Sequence, residues 1–396
     1  MKTVKYGIIG LGNMGTGHIG NFMTGNVPNA TVTAIADIKK ERVDRIQDKY
    51  PDVNFEKYYS ASDLIQNANV DAVLVAVPHY DHPIIVIEAL KKGLNVICEK
   101  PAGVYTKQVK EMMEVAKNSK GLFTMMFNQR TNCVYRKMRE IIREGGIGEI
   151  MRVNWIITNW FRTQNYYDSG DWRGTWSGEG GGVLFNQCPH QLDLVSWIVG
   201  ENPKTVRSFC HFGKWHDVEV EDDVTAYFEY ENGATGVFIT TTGEYPGANR
   251  FEVSGTKGKL LVENDKLTYY KLSADLKEYI KCANTGFDHP DMETIEVETD
   301  GENLQHIGIC RNFTNAILGT EELFVDGKEG INGVELMDAI LLSTWLDKPV
   351  QIPIDDELYY EELKKRIATS RRKENVVETV LDTEGSYGSK IVDKSK

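Results

Sequence analysis

Residues 4–15 read Val4-Lys5-Tyr6-Gly7-Ile8-Ile9-Gly10-Leu11-Gly12-Asn13-Met14-Gly15. An apolar run typical of a buried strand leads directly into the pattern G-x-G-x-x-G, and a helical segment follows. The first glycine permits a tight turn, the second lets backbone amides approach a pyrophosphate, and the third allows close helix–strand packing. The N-terminus of the helix favours a bound anion. Although such a turn can serve packing alone, this context predicts a dinucleotide-binding site.

Strand and helix signals alternate through the first 128 residues. Apolar strands are predicted at Val4–Ile9, Thr31–Ala36, Ala72–Val77, Asn95–Cys98 and Leu122–Phe127. Helices are predicted between them, at Met14–Phe22, Glu41–Lys49, Ile84–Lys92 and Thr106–Lys117. Continuous apolar strands separated by helices indicate a parallel sheet covered on both faces. Residues 1–128 are therefore predicted to form a dinucleotide-binding Rossmann domain of the α/β class.

Asp37 closes the second strand, 22 residues after Gly15. A carboxylate at this position accepts hydrogen bonds from the ribose hydroxyls of an adenosine and repels a 2′-phosphate. The sequence therefore predicts NAD as the cofactor and makes NADP less favoured. Lys39 and Lys40 follow directly and weaken this preference without reversing it.

The pattern changes after residue 128, where strands dominate. They are predicted at Met151–Thr158, Thr205–Phe212, Val224–Tyr230, Ala234–Thr242, Arg250–Gly255 and Lys259–Glu263. Several alternate apolar and polar residues, which is typical of an antiparallel sheet with one covered face. Residues 129–353 are predicted to form a second α/β domain with a large, mostly antiparallel sheet, and a helix is predicted at Gly333–Leu346. Residues 354–396 are predicted to form a charged extension, helical over Asp355–Ser370.

Composition narrows the class of protein. The 396 residues are 41% hydrophobic and 26% charged, which is ordinary for a globular chain. The net charge of −13 argues against nucleic acid as a partner. No apolar stretch approaches the roughly 18–20 residues of a membrane span, and no signal-peptide pattern is present. The six cysteines lack a C-x-x-C pattern, so we expect reduced core thiols in a cytoplasmic protein without a metal site.

Two loops are predicted to line the ligand crevice, because they follow parallel strands at their carboxyl ends. The first contains Pro78, His79 and His82. Both histidines can flank the cofactor, but His82 can equally be a helix-start residue that only hydrogen-bonds the backbone. The second loop, Cys98-Glu99-Lys100-Pro101, places a Glu–Lys pair where both side chains would point toward a nicotinamide. A partly desolvated lysine can act in acid–base chemistry, and its ammonium stabilises a developing alkoxide.

Residues 180–193 form a glycine-rich entry, Gly180-Gly181-Gly182, into an amphipathic helix. A spacing of four puts Asn186 and His190 on one helical face, and Asp193 is predicted on the same face. A carboxylate near an imidazole selects its tautomer and raises its basicity. A single histidine on a helix is more often structural, so a catalytic role for His190 depends on the other motifs.

The combination of G-x-G-x-x-G, Glu99-Lys100-Pro101 and Gly180-Gly181-Gly182…His190-x-x-Asp193 resembles the glucose-fructose oxidoreductase/inositol dehydrogenase (Gfo/Idh/MocA) family. Residues 145–150, Trp172-Arg173 and residues 253–258 are further matches, and the resemblance runs from about residue 4 to about residue 346. It implies a Rossmann domain followed by an α/β domain whose open sheet face often forms a homodimer or homotetramer interface. The extension after residue 353 lies outside the resemblance; it either closes over a neighbouring subunit or is solvated.

The resemblance also implies roles for individual residues. Lys100 would bridge cofactor and substrate, and His190 would be the main acid–base residue. Asn128, Trp172 and Arg173 would approach the cofactor, and the Lys100–Pro101 bond would be cis. Members of this family often carry Asp four residues before the histidine, where this chain has Asn186. An amide binds a hydroxyl but cannot take its proton, so proton transfer must depend on His190 and Lys100, or on a carboxylate elsewhere.

Aromatic and basic residues are concentrated between Asn159 and Trp176. Aromatic faces stack on sugar rings, and arginine binds hydroxyls or carboxylates, although half of these aromatics are expected to pack between domains. The predicted substrate-binding residues are Lys100, Arg162, Tyr166, Trp176, Asn186 and His190. The predicted cofactor-binding residues are Gly10, Gly12, Asn13, Met14, Asp37, Ile38, Pro78, His79, His82, Glu99, Lys100, Asn128, Trp172 and Arg173.

These observations predict an NAD-dependent dehydrogenase that interconverts a ring hydroxyl and a ketone on a sugar, glycoside or cyclic polyol. Lys100 and His190 are the predicted acid–base residues. Two alternatives stay open: a redox-neutral enzyme that uses NAD to cleave a glycoside, and a non-catalytic NAD-binding regulator. The retention of both Lys100 and His190 argues against the regulator.

Overall fold

Six parallel strands form the first sheet, in a computed structural model that describes residues 2–371 and 373. The elements are β1 (Val4–Ile9), α1 (Asn13–Met23), β2 (Ala30–Ala36), α2 (Lys40–Lys49), β3 (Glu56–Tyr58), α3 (Ala61–Asn67), β4 (Ala72–Val75), α4 (Asp81–Lys92), β5 (Asn95–Cys98), α5 (Thr106–Asn118) and β6 (Phe123–Met125). The strand order is β3-β2-β1-β4-β5-β6. The order reverses between β1 and β4, which creates a crevice beyond their carboxyl ends.

The second sheet is mixed and has nine strands. The elements of this part of the chain are α6 (Cys133–Arg143), β7 (Ile150–Ile157), α7 (Gln164–Tyr167), α8 (Val183–Asn186), α9 (Pro189–Val199), β8 (Thr205–Phe212), β9 (Glu221–Glu229), β10 (Thr235–Thr241), β11 (Asn249–Gly255), β12 (Gly258–Glu263), β13 (Lys266–Leu272), α10 (Leu276–Cys282), β14 (Met292–Glu296), α11 (Gln305–Leu318), α12 (Gly330–Leu346), β15 (Val350–Gln351) and α13 (Asp356–Thr369). The order is β14-β13-β12-β11-β7-β10-β9-β8-β15, and every pairing except the parallel β7–β10 pair is antiparallel. The predicted fold class is confirmed.

One face of the second sheet is covered and the other is open. Along β9, buried and exposed residues alternate, as they must when only one face meets a core. Helices α6, α9 and α12 pack on the covered side. The open side exposes large apolar side chains at Ile156, Phe209 and Tyr227.

Helix α11 returns from the second sheet to the first, and the sequence did not predict it. The hydroxyl of Tyr6 in β1 hydrogen-bonds that of Thr314 in α11 at 2.8 Å, in a buried position. Helix α12 packs against α5 of the first domain as well as against β8 and α9. The division at residues 1–128, 129–353 and 354–396 thus stays a prediction, since segments from both sides of residue 128 pack together.

The start of the C-terminal extension packs within the same chain, which corrects the expectation that it covers a neighbour or is solvated. In α13, Tyr359 and Leu363 are fully buried, and Tyr359 stacks on Trp345 of α12 with ring centroids 5.3 Å apart. Lys110 of α5 pairs with Asp356 at 2.7 Å. Because α13 presents buried apolar residues despite its many charges, it forms part of the core; residues 374–396 lie outside the described residues.

The expectation of core thiols holds for four of the six cysteines. Cys98, Cys188, Cys210 and Cys310 are buried and free, whereas free Cys282 is exposed and Cys133 is partly so. Within residues 2–371 and 373, no helix combines the length and apolar character that crossing a membrane requires.

Candidate active site

The glycine turn after β1 leaves room for a phosphate group. Gly10 has a φ of +90°, and a Cβ there would lie 2.3 Å from the Ala76 carbonyl oxygen. A Cβ on Gly15 would lie 1.8 Å from the Gly10 carbonyl oxygen, so the turn and α1 pack too closely for a side chain. By contrast, a Cβ on Gly12 would meet open space. The first turn of α1 has no side-chain cap and no carboxylate, so its backbone dipole faces this space and suits a pyrophosphate.

Asp37 is oriented by the backbone around it. Its carboxylate accepts hydrogen bonds from the backbone amides of Leu11 and Lys39 at 2.8 and 2.9 Å, and from the Arg42 guanidinium at 3.2 Å. The residue is buried at the carboxyl end of β2, directly beside the glycine turn. The carboxylate is therefore placed where the ribose of an adenosine would approach.

We expect Asp37→Asn to lower the ratio of the NADPH Kd to the NADH Kd about tenfold or more. The amide keeps the side-chain shape but removes the charge that repels a 2′-phosphate, while Arg42 and Lys39 remain close by. Fluorescence titration with each reduced dinucleotide measures both constants. Asp44→Asn, which neutralises an exposed carboxylate of α2, is the matched control, and an unchanged ratio in Asp37→Asn would contradict the assignment.

A cavity of about 420 Å³ lies where the crevice of the first sheet meets α8, α9 and the second sheet. It brings together the following predicted site residues: Asn13, Met14, Lys100, Arg162, Tyr166, Arg173, Asn186 and His190. These residues come from both predicted domains and from loops far apart in the sequence, so the cavity is the candidate active site.

Lys100 follows β5, and its peptide bond to Pro101 is cis, as the resemblance implied. Its ammonium donates a 2.9 Å hydrogen bond to the backbone carbonyl of Asn186. Burial lowers the pKa of Lys100, while the negative charges of Glu99 and Glu179 partly oppose this shift. Nearby negative charges thus stabilise the ammonium of Lys100, while burial lowers its affinity for a proton. A lysine that exchanges protons needs such a lowered affinity.

His190 lies in the first turn of α9 with a buried ring. Neither ring nitrogen has a hydrogen-bond partner among the described residues. Burial, and then the charge of Lys100, lower the pKa of His190 well below its usual value. The imidazole is therefore neutral, and its two nitrogens are free to form hydrogen bonds with a ligand in the cavity.

The structure corrects two predictions about the segment around His190. Asn186 and His190 do not share one helix, because α8 ends at Asn186 and Pro189 begins α9, although both side chains line the cavity. Asp193 does not orient His190; its carboxylate instead forms a buried ion pair with Arg130, at 2.6 and 2.8 Å. The attraction of a fully charged guanidinium outweighs that of a neutral imidazole.

Glu99 also differs from its prediction, because it does not line the cavity. It is buried and binds the His18 ring of α1 at 2.7 Å. Burial alone would raise the pKa of Glu99, but the hydrogen bond and charge of His18 lower it to about 2. His18 was missed, since nothing in its local sequence indicates a partner in β5. His82 agrees with the backbone alternative: it is buried in the first turn of α4, and its Nδ1 bonds the Pro101 carbonyl at 2.7 Å.

Tyr166 is the centre of a hydrogen-bond network in the wall of the cavity. Its hydroxyl donates to Asn186 Oδ1 at 3.0 Å and accepts from the Arg173 guanidinium at 2.9 Å and from the Gln187 amide at 3.2 Å. The guanidinium of Arg162 lies 5.2 Å from the centre of the Tyr166 ring. Trp176 is a correction: it lies outside the cavity, buried between Phe212 and Trp345, so the aromatic interface and not the substrate accounts for it.

The remaining predicted cofactor residues surround the cavity without lining it. Ile38 and Pro78 are exposed beyond the ends of β2 and β4. His79 is buried, contacts the Trp172 ring edge-on at 6.0 Å, and bonds the Glu179 carbonyl at 3.1 Å. Asn128 is fully buried and donates to Gln305 at 2.5 Å, but its Oδ1 has no partner among the described residues. That orphaned oxygen is compatible with a contact to the amide of a nicotinamide.

One side of the cavity is rich in amide side chains that the motifs did not predict. Of the 23 described residues that line it, ten are Asn or Gln, and Asp265 is the single carboxylate among them. The unpredicted amides include Gln129, Asn132, Gln191, Asn249, Asn303 and Gln305. They come from four segments that are far apart in the sequence, around residues 129–132, 191, 249 and 303–305, so no single local pattern could have revealed them. Amides both donate and accept hydrogen bonds, as a polyhydroxylated ligand requires.

Comparison with known proteins agrees with this architecture. Residues 4–127 match the profile of the "oxidoreductase family, NAD-binding Rossmann fold", and residues 135–261 match the "GFO/IDH/MocA C-terminal domain". Myo-inositol 2-dehydrogenase from Thermotoga maritima is 28% identical over 67% of this chain and 77% of that protein. Inositol 2-dehydrogenase from Salmonella typhimurium is 26% identical, over 52% of this chain and only 58% of its own length.

Solved structures show the same fold. The WlbA dehydrogenase from Chromobacterium violaceum, crystallised with NADH and UDP-GlcNAcA, superposes with a TM-score of 0.77 at 24% identity. The superposition covers 90% of this chain and 97% of that one. The two profiles, the glycine turn with its carboxylate, and the paired sheets confirm the resemblance and the cofactor inferred from the sequence. The chain belongs to the Gfo/Idh/MocA family of NAD-dependent oxidoreductases.

Proposed function

We propose that this protein is an NAD-dependent dehydrogenase that interconverts a ring secondary hydroxyl and a ketone on a sugar, glycoside or cyclic polyol. The observation that carries the proposal is the composition of the cavity. A lysine and a neutral, unpartnered imidazole line it together, and amide side chains form much of the remaining wall. A ligand with several hydroxyl groups satisfies such a wall, whereas an apolar ligand would leave its polar groups unpaired.

In the proposed mechanism, each protein group has one task. His190 takes the proton of the substrate hydroxyl, because burial keeps its ring neutral. The Lys100 ammonium holds the same oxygen and stabilises the charge that develops on it. Arg162, Tyr166 and Asn186 orient the other hydroxyl groups. Bound NAD, held by the glycine turn and Asp37, supplies the hydride chemistry.

A substrate screen tests the proposal. Myo-inositol, free pyranoses, glycosides and an aliphatic diol are each incubated with NAD or NADP, and reduction is followed by the absorbance of the reduced dinucleotide. We expect at least one cyclic polyol, sugar or glycoside to reduce NAD, with NAD preferred over NADP. We expect the aliphatic diol to be inert because it cannot pair the amide-lined wall. Equal rates with the diol and a pyranose would contradict the substrate class.

The same screen separates the alternatives. A redox-neutral glycoside-cleaving enzyme would consume a glycoside without net NADH formation, which chromatography of the sugar products detects. A non-catalytic NAD-binding regulator would bind the dinucleotide and convert none of the compounds. The paired positions of Lys100 and His190 in one cavity favour the dehydrogenase over the regulator.

The proposal includes the assembly and location of the protein. The open face of the second sheet, with Ile156, Phe209 and Tyr227, is the surface through which we propose that a homodimer or homotetramer forms; the molecular mass in solution tests this. Residues 129–353 would carry the substrate site and this surface. The free thiols are consistent with a cytoplasmic location, where they stay reduced.

A further inference from the structure

Glu179 is a buried carboxylate directly behind the wall of the cavity. It is 1% exposed, and it does not line the cavity itself. One carboxylate oxygen accepts the backbone amide of Gly174 at 2.7 Å, and the other accepts a hydrogen bond from the Asn186 side-chain amide. Neither the sequence motifs nor the family profiles assign this residue a role. Its side chain contacts the cavity wall through a hydrogen bond with Asn186, which lines the cavity.

The contact with Glu179 determines which way the Asn186 amide faces. Both carboxylate oxygens of Glu179 accept hydrogen bonds from N–H groups, one from Gly174 and one from Asn186, so the NH₂ group of Asn186 points toward Glu179. The carbonyl oxygen of the same amide must then face the cavity wall, where it accepts from Tyr166 at 3.0 Å. Tyr166 has consequently donated its one proton, and its oxygen accepts from Arg173 and Gln187. The donor and acceptor pattern of this wall thus follows from the charge on Glu179.

Glu179 is also linked to Lys100 through Asn186. The Lys100 ammonium binds the backbone carbonyl of Asn186, the residue whose side chain binds Glu179. Burial raises the pKa of Glu179, and the charges of Arg173 and Lys100 and the hydrogen bonds from Gly174 and Asn186 oppose that rise. The negative charge of Glu179 in turn favours the protonated form of Lys100. Each group therefore supports the charged state of the other.

We infer that Glu179 is a positioning residue, which orients the Asn186 amide and provides a counter-charge beside Lys100 from outside the cavity. This inference rests on the proposed function only for the chemical use of Lys100. Residue 186 is an asparagine, and Glu179 places a carboxylate directly behind it. This carboxylate is one hydrogen bond further from the substrate than residue 186 is.

The variant Glu179→Gln removes the negative charge of residue 179 but keeps the size of its side chain. The glutamine has a single oxygen, which cannot accept from both Gly174 and Asn186. If that oxygen stays on Gly174, the glutamine NH₂ faces Asn186, and the Asn186 amide must rotate to present its oxygen. The wall then presents an NH₂ to Tyr166, and the counter-charge is lost. In the double variant Glu179→Gln/Asn186→Asp, the glutamine NH₂ donates to the new carboxylate, which restores both the charge and an accepting oxygen.

The experiment measures the protonation of Lys100 without any substrate. The full-length protein is labelled with acetic anhydride at a series of pH values, and mass spectrometry gives the modified fraction of Lys100. The groups that interact electrostatically with this lysine are the carboxylates of Glu99 and Glu179, the guanidinium of Arg173, the thiol of Cys188 and the imidazoles of His79, His190 and His306. Among the variants only residues 179 and 186 are substituted, so the other groups around Lys100 are the same in each protein. Circular dichroism and the melting temperature show whether each variant is folded.

We expect Glu179→Gln to move the labelling midpoint of Lys100 downward by about one pH unit, because one nearby negative charge is removed. We expect the double variant to return the midpoint to within a few tenths of a unit of the wild type. A folded Glu179→Gln protein with an unchanged midpoint would overturn the inference, as would a double variant that shifts as far as the single one. If no sugar reduces NAD, the proposed function is contradicted but this inference is not, because the labelling of Lys100 requires no turnover.

Discussion

Lys100→Met is expected to lower kcat by about two to four orders of magnitude with whichever sugar or polyol reduces NAD in the screen. Methionine has a similar length and volume but carries no charge and no proton. The variant therefore loses both the hydrogen bond to the Asn186 carbonyl and the ammonium that would stabilise the substrate oxygen. Initial rates of NADH formation at saturating substrate measure the effect, and NADH fluorescence checks that the dinucleotide still binds.

Two further variants sharpen this prediction. Lys100→Arg keeps a positive charge that is not released at any working pH, so it separates electrostatic stabilisation from proton exchange. If Lys100 only holds the oxygen, the arginine variant should recover a large part of the rate. His190→Asn removes the unpartnered imidazole and should lose a comparable factor in kcat. Near-normal turnover in folded Lys100→Met and His190→Asn proteins would remove both residues from the mechanism.

Arg130→Met is expected to lower the free energy of unfolding by about 3–5 kcal/mol. Arg130 is 1% exposed and forms two hydrogen bonds with the equally buried Asp193, so its removal leaves a carboxylate without a counter-charge. Asp193 lies one turn beyond His190 in α9, and Arg130 lies in the short helical turn Asn128–Thr131 after β6. The pair therefore ties the segment that follows β6 to α9, the helix that carries His190. Urea unfolding followed by circular dichroism measures the loss.

The double variant Arg130→Met/Asp193→Leu is the control for this prediction. Replacing Arg130 and Asp193 together with apolar residues removes the buried unpaired carboxylate and leaves without its partner only Glu329, which also pairs with Arg130 but is partly exposed, so the double variant should recover much of the lost stability. Lys137→Met breaks the exposed Lys137–Glu140 pair and should change stability little, because water screens that interaction. A double variant as unstable as Arg130→Met would show that packing of the guanidinium, and not its charge, accounts for the loss.

The local elements of the first domain could be predicted well from the sequence. The strands Val4–Ile9 and Asn95–Cys98 have the predicted bounds, because apolar runs between turn residues are local signals. The bounds of β4 and β6 were predicted too long. Short elements such as β3 and α3, and the elements β13, β14 and α11, were not predicted. Their burial depends on neighbours that are distant in sequence, and no strong periodicity marks them.

The same distinction applies to the site. Lys100, Asn186 and His190 follow recognisable motifs, and the structure places all three in one cavity. The partners of their neighbours were not predictable in this way. Helical spacing predicted that Asp193 would contact His190. Instead, Asp193 pairs with Arg130, which lies 63 residues away in the sequence. Glu99 was predicted to point toward the nicotinamide. Instead, its carboxylate hydrogen-bonds the ring of His18 in α1. A buried charge pairs with the best available opposite charge, and tertiary packing decides which charges meet.

The sequence alone determined the cofactor class, the two sheets and the motif residues, because each depends on residues close together in the chain. Tertiary structure decided the rest. It places amide side chains from distant segments in one wall of the cavity, and it packs Trp176 against other aromatic residues outside the cavity. It also places the Glu179 carboxylate behind Asn186. The physical reason is that hydrogen bonds and ion pairs act over a few ångströms of space regardless of separation along the chain. Only folding brings Glu179, Asn186 and Lys100 within that range.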